Sequence, residues 1–220
     1  MSNMTVSSLH AARSSRREAR REELLDAADR AIRKGGPAVS MDEIASEAGV
    51  TKPILYRHFG DKAGLSRALG ERYLELLLAR LREALEREST PAGRLSATID
   101  AYLGLVESEP QLYRFVIQET IAELAETIAE ERRGLAAGSS FLRGVAAEVT
   151  RLLREEAARF GADVPTAEEW AHGIVGMVHL AGDWWLEHRN MPRERLVSSL
   201  STLLLGGLGS LATPQPDARD

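Results

Sequence analysis

Apolar residues recur at intervals of three and four along almost the whole chain, and Gly, Pro or a Ser/Thr cap interrupts that rhythm at the segment ends. Leu24, Leu25, Ala28, Ala31 and Ile32 share one helical face, closed by Gly35-Gly36-Pro37. A second, short helix opens at Ser40 and runs through Met41, Ile44, Ala45 and Ala48. Glu43, three residues past Ser40, completes a capping box, and Gly49 stops the helix. Thr51 can cap a third helix with Pro53 in its first turn, where a missing N–H costs little; it ends by Phe59-Gly60. From Asp61, a good N-cap, a stripe runs through Leu65, Leu69, Tyr73, Leu77, Leu81 and Leu85 until Ser89-Thr90-Pro91. About 27 residues at 1.5 Å each make a rod of roughly 40 Å, too long for a small head alone, so it reaches into a further domain.

The rest repeats the helical period. Leu95, Ile99, Tyr102, Leu103 and Val106 lead to Glu109-Pro110, and a shorter apolar piece holds Leu112, Tyr113, Phe115, Val116 and Ile117. A weakly amphipathic stretch from Ile121 to Arg133 follows, then a loosely ordered connection from Gly134 to Ser140. Phe141, Val145, Val149, Leu152, Leu153 and Phe160 define the next helix, which closes at Gly161. Thr166 with Glu169 reads as a second capping box, opening a helix through Trp170, Ile174, Met177, Val178, Trp184 and Trp185. Pro192 opens the last, with Leu196, Leu200, Leu204, Leu208 and Leu211 on one face. No alternating run is flanked by hairpin turns. The pattern predicts an all-α chain: a flexible basic arm over 1–15, a three-helix head with a helix-turn-helix over 16–62, a larger helical bundle over 63–212 joined to it by the long helix, and a polar tail over 213–220.

Composition narrows the chemistry. Apolar residues are 44% and charged residues 28%, as in soluble globular proteins. With no cysteine, thiolate chemistry, disulfides and Cys-ligated metals are excluded. No apolar run is long enough to span a membrane, and the reading is a cytoplasmic protein without a membrane partner. The net charge of -5 is unevenly spread: residues 1–62 hold 11 Arg and Lys against 9 Asp and Glu, so the deficit lies in the rest. The densest basic run, Arg13, Arg16, Arg17, Arg20 and Arg21, suits a solvated tail and a DNA-contacting arm equally.

The segment from Val39 to Phe59 carries the most specific signal. It encodes two short helices joined by a tight turn at Gly49, with Val50 as the apolar plug that fixes their crossing. Leu55 and Phe59, four residues apart, can hold the second helix to the first, leaving Lys52, Pro53, Tyr56 and Arg57 on an outward arc. Cations and phenol or imidazole donors dominate that arc, and such groups suit phosphate oxygens. Lys52 can reach a guanine edge or a phosphate, and Tyr56, Arg57 and His58 read as backbone clamps. Taken alone, His58 fits a half-buried packing residue equally well. Lys62 stands at the start of the long helix, where free amides already favour an anion.

On Ile44-Ala45, Ala48-Gly49-Val50, Leu55-Tyr56, His58-Phe59 and Lys62, preceded by Leu24, Leu25, Ala28 and Ala31, the sequence resembles the tetracycline-repressor (TetR) family of transcriptional regulators. The resemblance implies a three-helix DNA-binding head, with a fourth helix leading to a ligand-binding body. It also implies that Tyr56, His58 and Lys62 contact phosphates, that Thr51, Lys52 and Pro53 approach bases, and that Ser40 or Met41 opens the second helix near the DNA backbone. The arginine run then tilts towards minor-groove or phosphate contact. These motifs cover about a quarter of the chain; the body resembles the family in helix number, length and order alone.

For the body, expectations rest on residue types. Gly173, Gly176, Gly182, Gly206, Gly207 and Gly209 permit close backbone approach, and the last two helices with their symmetry mates would form a four-helix interface as in the resembled family. Ile174, Val178, Leu200, Leu204 and Leu208 are its candidate residues. A dimer also follows from need, since one short recognition helix reads too few bases. Tyr102, Tyr113, Phe115, Phe141, Trp170 and Trp184, large groups in an aliphatic body, are the candidate lining of a pocket for an apolar effector, drug-like or fatty acyl. The competing reading of Trp184-Trp185 as plain core comes first. His172, His179 and Asp183 share a helix, but His172 and His179 lie two turns apart, too far for one ion, so neither metal nor cofactor is expected. No nucleophile–base pair emerges, which speaks against an enzyme. The reading is a homodimeric repressor, released from double-stranded operator DNA when an effector tilts the helix from Asp61 to Glu88. A ligand-carrying or scaffold bundle would account for residues 66–211, but not for the head.

Overall fold

The computed structural model describes the backbone of residues 3–117 and 140–206 and the side chains of 15–117 and 141–206. Every regular element among them is a helix: α1 (Asn3–Gly35), α2 (Met41–Glu47), α3 (Lys52–Phe59), α4 (Lys62–Glu86), α5 (Pro91–Ser108), α6 (110–117), α7 (Ser140–Arg159), α8 (Ala167–His188) and α9 (Arg193–Gly206). The expected amphipathic stretch 121–133, the connection after it, Leu208, Leu211 and the polar tail lie outside the described residues. α1 begins at Asn3, so the segment expected as a mobile arm is helical from there. A segment without an apolar stripe can still be helical, because the stripe reports a covered face and not the backbone conformation.

The chain divides into two compact units, Met1–Arg72 with Gln111–Ser140, and Tyr73–Pro110 with Phe141–Asp220. The first takes in the beginning of α4 and residues of α6. Its core is built from Leu24, Leu25, Ala28 and Ile32 of α1, Ile44 and Ala45 of α2, Leu55 and Phe59 of α3, Leu65 and Leu69 of α4, and Leu112 and Phe115 of α6, all buried. Each large side chain so removed from water contributes about 1.5–3 kcal/mol, before the entropy of ordering it is subtracted. On the surface, Glu47 accepts from Arg30 at 3.1 Å and from Lys34 at 2.9 Å, fastening the end of α2 to the last turns of α1. Exposed pairs of this kind add under about 1 kcal/mol and chiefly fix register.

In the second unit α5 is the central helix, packed against α8 and α9. It buries Ile99, Tyr102, Leu103, Leu105 and Val106, opposite Val175, Val178 and Trp185 of α8 and Leu196, Val197 and Leu200 of α9. Gly182 is where α8 comes closest: a Cβ there would stand 2.8 Å from Leu103 Cδ2. Polar contacts set the pairing with α9, with Ser96 Oγ 2.9 Å from Ser201 Oγ and Arg193 bridging Asp100 at 2.8 Å and Glu107 at 2.9 Å. Trp185 donates Nε1–H to the Met191 carbonyl at 2.7 Å, and Arg189 lies 4.6 Å over its ring, so this tryptophan is core as expected. The second expected capping box does not form: Thr166 holds the N-cap position of α8 without a side-chain bond.

Candidate nucleic-acid interface

Local chemistry sets α3 at the surface of the first unit. Ser40 accepts from the Glu43 amide at 3.3 Å while Glu43 Oε2 accepts from the Ser40 amide at 2.8 Å, the reciprocal box expected at the start of α2. Those bonds hold the Glu43 carboxyl below the usual range. After α2 the backbone turns at Gly49, φ +63°, a left-handed conformation that a side chain would strain. Val50 closes the turn through its amide on the Ala45 carbonyl at 3.0 Å. Leu55 is fully buried and Phe59 nearly so, and these two anchor α3. A second tight junction follows. A Cβ on Gly64 would fall 1.9 Å from the Phe59 carbonyl oxygen, so only glycine allows α4 to begin this close behind α3, and Asp61 Oδ1 caps α4 by accepting from the Gly64 amide at 2.7 Å.

The outward arc is present with two corrections. Thr51, Pro53, Tyr56 and Arg57 are exposed, Tyr56 at 41%. Thr51 stands at the N-cap of α3, but its hydroxyl makes no capping bond. Lys52 is not a bare cation: its Nζ donates to Asp42 Oδ2 at 2.7 Å, a partner in the first turn of α2 that the sequence reading overlooked. Met41 is the second correction, because this first residue of α2 is buried in the core. Ser40 is exposed, with its hydroxyl engaged by Glu43 at 2.7 Å. The Lys62 ammonium lies 5.2 Å over the Phe115 ring.

His58 is half-buried beside a run of arginines. Burial, then the charges of Arg57, Arg17, Arg20 and Arg21, push its pKa below the ordinary imidazole value. Arg21 also sits 5.3 Å over the Phe59 ring. The helical continuation of α1 thus sets cations beside the end of α3, which gives the basic run a fixed place.

In the second unit α4, α5, α7 and α8 line a half-open cavity of about 130 Å³. Leucines dominate its wall, among them Leu77, Leu81, Leu85, Leu152 and Leu153. Of the aromatics expected to line a pocket, Tyr102 does so, with its hydroxyl 3.3 Å from His179 Nδ1. Tyr113 and Phe115 are core residues of the other unit, Phe141 is buried outside the cavity wall, and Trp170 and Trp184 are 56% and 51% exposed. Ile174 and Val178, expected at a subunit seam, line the cavity instead. Leu200 is buried and Leu204 half-buried. His172 is exposed and bonded to the Glu168 carbonyl, and no group of three or more His, Asp or Glu among the described residues is placed to hold a metal ion.

What α8 leaves uncovered is a stripe of Trp170, Gly173, Leu180 and Trp184, with the half-buried Met177 between them, spaced alternately by three and four. Leu180 is 68% exposed, Trp184 stacks on His188 with ring centroids 4.0 Å apart, and a Cβ at Gly173 would meet open space. No helix among the described residues is long and apolar enough to cross a membrane.

Comparison with known proteins bears on both units. Residues 24–69 match the family described as bacterial regulatory proteins, tetR family, and residues 80–219 match the tetracyclin repressor-like, C-terminal domain. An uncharacterized HTH-type transcriptional regulator of Mycobacterium tuberculosis is 35% identical over 185 residues, covering 84% of this chain and 75% of that protein. The HTH-type transcriptional activator FasR of Mycolicibacterium smegmatis is 28% identical over 194 residues, 87% of this chain and 84% of its own. Among solved structures, the transcriptional regulator FadR from Bacillus subtilis in complex with stearoyl-CoA shares the fold, with a TM-score of 0.64 at 20% identity over 85% of this chain and 98% of that one.

Proposed function

The chain belongs to the TetR family of bacterial transcriptional regulators, and from that premise we propose that it is a homodimeric repressor whose hold on operator DNA is released by a small apolar effector. The observation that carries the DNA reading is α3, which buries Leu55 and Phe59 and turns Tyr56 and Arg57 outward beside the arginines of α1. In this reading Thr51, Lys52 and Pro53 face bases. Tyr56, Arg57, His58 and Lys62 clamp phosphates, together with Ser40 and the Met41 amide at the start of α2. Lys52 must exchange Asp42 for DNA, so its contribution is a difference between two partners and not a full charge contact.

The apolar stripe on α8 supports the dimer. Two tryptophans and a leucine exposed in register on one helix, with glycine giving room for a second backbone, suit pairing with the same helix of another copy. The cavity supports the effector. Its volume of about 130 Å³ is below the roughly 300–1,000 Å³ of sites that hold drug-sized ligands, so occupancy by such a ligand requires α4, α5, α7 and α8 to part. A ligand that binds only the parted state has the differential affinity that a population shift needs. α4 is a single helix of 25 residues, about 37 Å at 1.5 Å per residue, and it runs from the turn after α3 to the cavity wall, so a displacement at its end is carried to its beginning. The relative named as an activator favours a second reading, in which the DNA-bound form raises transcription instead of blocking it.

Selection of bound duplexes from random sequence, followed by anisotropy titration, tests the proposal. Tyr56→Ala with Arg57→Ala is expected to weaken the selected duplex about 10- to 100-fold and to flatten the salt dependence. Unchanged affinity would reject α3 as the reading helix. Addition of an apolar ligand then distinguishes release from recruitment.

A further inference from the structure

The cavity carries, at its edge, an arginine whose present partner a ligand can replace. Arg94, in the first turn of α5, is the one cation among the described residues that line the cavity. Its side chain is 17% exposed, and its Nε lies 3.2 Å from Glu156 Oε2 on α7. Its Nη1 donates to the Leu85 carbonyl at 3.3 Å, in the last turn of α4, and to the Glu88 carbonyl at 3.5 Å, two residues beyond it. One guanidinium thus ties α4, α5 and α7 together around leucines.

The two acids of the lining are differently placed. Glu148 has both carboxylate oxygens engaged by Arg151 on its own helix, a pairing that holds its pKa below the usual range. Glu156 has a second cation within reach, Arg159 Nε at 3.8 Å, and its side chain is 25% exposed. It can therefore turn to Arg159 and water when displaced. Arg94 is the more buried of the pair, and burial makes an unpaired charge costly, so Arg94 holds whichever anion is offered. A carboxylate also matches the planar fork of a guanidinium, which donates two parallel hydrogen bonds to its oxygens.

Building on the reading of this cavity as the effector site, we propose that the effector is an amphipathic acid: its apolar chain lies among the leucines and its anionic headgroup replaces Glu156 on Arg94. The exchange draws the guanidinium off the carbonyls of Leu85 and Glu88 and frees the last turn of α4. Headgroup recognition and the movement of α4 are then one event.

Calorimetric titration of the full chain with decanoate, 1-decanol and decylamine, each below its micelle-forming concentration, varies the headgroup at constant chain length. Decanoate is expected to bind about tenfold more tightly than decanol, the scale of one charge-assisted hydrogen-bonded pair, with decylamine no tighter than decanol. Arg94→Gln should remove the decanoate advantage and leave decanol binding intact, and Glu156→Gln should increase that advantage by removing the competitor. If Arg94→Gln does not fold, as read by circular dichroism, Glu156→Gln decides alone. Equal binding of decanoate and decanol, a preference for decylamine, or a Glu156→Gln variant with unaltered preference overturns the headgroup assignment and leaves an apolar effector standing. Failure of all three compounds to bind overturns both.

Discussion

The DNA-binding unit and α8 treat apolar surface in opposite ways. In the former, Leu55 and Phe59 disappear beneath α3 while Tyr56 and Arg57 stand in solvent; in α8, Trp170, Leu180 and Trp184 stand in solvent while Val175 and Val178 face inward. A helix that is polar outside is complete as a folded object and offers its surface to a charged partner. A helix with an apolar stripe outside is incomplete, and in the proposed function the same helix of a second copy completes it. The contrast teaches that two interfaces on one chain can be told apart by which kind of side chain each leaves exposed.

That distinction is most exposed to attack at the stripe. Leu180→Glu with Trp184→Glu is expected to give a monomer in sedimentation velocity and to lower affinity for a two-half-site duplex more than about 100-fold, because the second head no longer arrives tethered to the first. A stable dimer in that variant would mean that another face pairs. On the other side of the comparison, Leu55→Ala should destabilise the DNA-binding unit by about 2–5 kcal/mol in denaturant unfolding, the range for a fully buried leucine. A loss below about 1 kcal/mol would show α3 to be loosely held.

Much of the first unit was legible because its signals are local. The Ser40–Glu43 box, the turn at Gly49 and the anchoring pair Leu55 and Phe59 each follow from residues within a few positions of one another. The pairing of Lys52 with Asp42 was not legible, since it joins two helices across their crossing. The body failed for a similar reason. An apolar helix face has the same sequence whether its neighbour touches it, stands off to leave a cavity, or belongs to another copy, so Ile174 and Val178 suit a seam by sequence and line the cavity in the fold. Choosing large aromatics as pocket residues misled as well. Bulky rings fill space, as Phe115 and Phe141 do, whereas the space that remains lies between leucines.

Two finer effects sharpen the account of the polar surface. Asp42→Asn frees Lys52 and removes an acid from the DNA-facing side, so affinity for random duplex should rise about threefold and its salt dependence should steepen by about one unit of slope. No change would place Lys52 away from the DNA. For His58, the folded pKa lies below the unfolded value of 6.5, so the unfolded chain binds the extra proton and stability is lost as pH falls below that value. Phosphates near the ring act in the other direction. Operator affinity should therefore rise about twofold from pH 7.5 to pH 6, and His58→Gln should flatten the profile. A wild-type profile as flat as that of His58→Gln would remove His58 from the contact.

The most direct test of the central claim, that α3 is the element seated in the groove, is photocrosslinking. With p-benzoylphenylalanine replacing Tyr56, the account expects a covalent adduct to the selected operator and none to a shuffled duplex at physiological salt, while the same group replacing the exposed Thr202 of α9 gives no adduct. Adducts of equal yield at the two positions, or none at Tyr56, would contradict it.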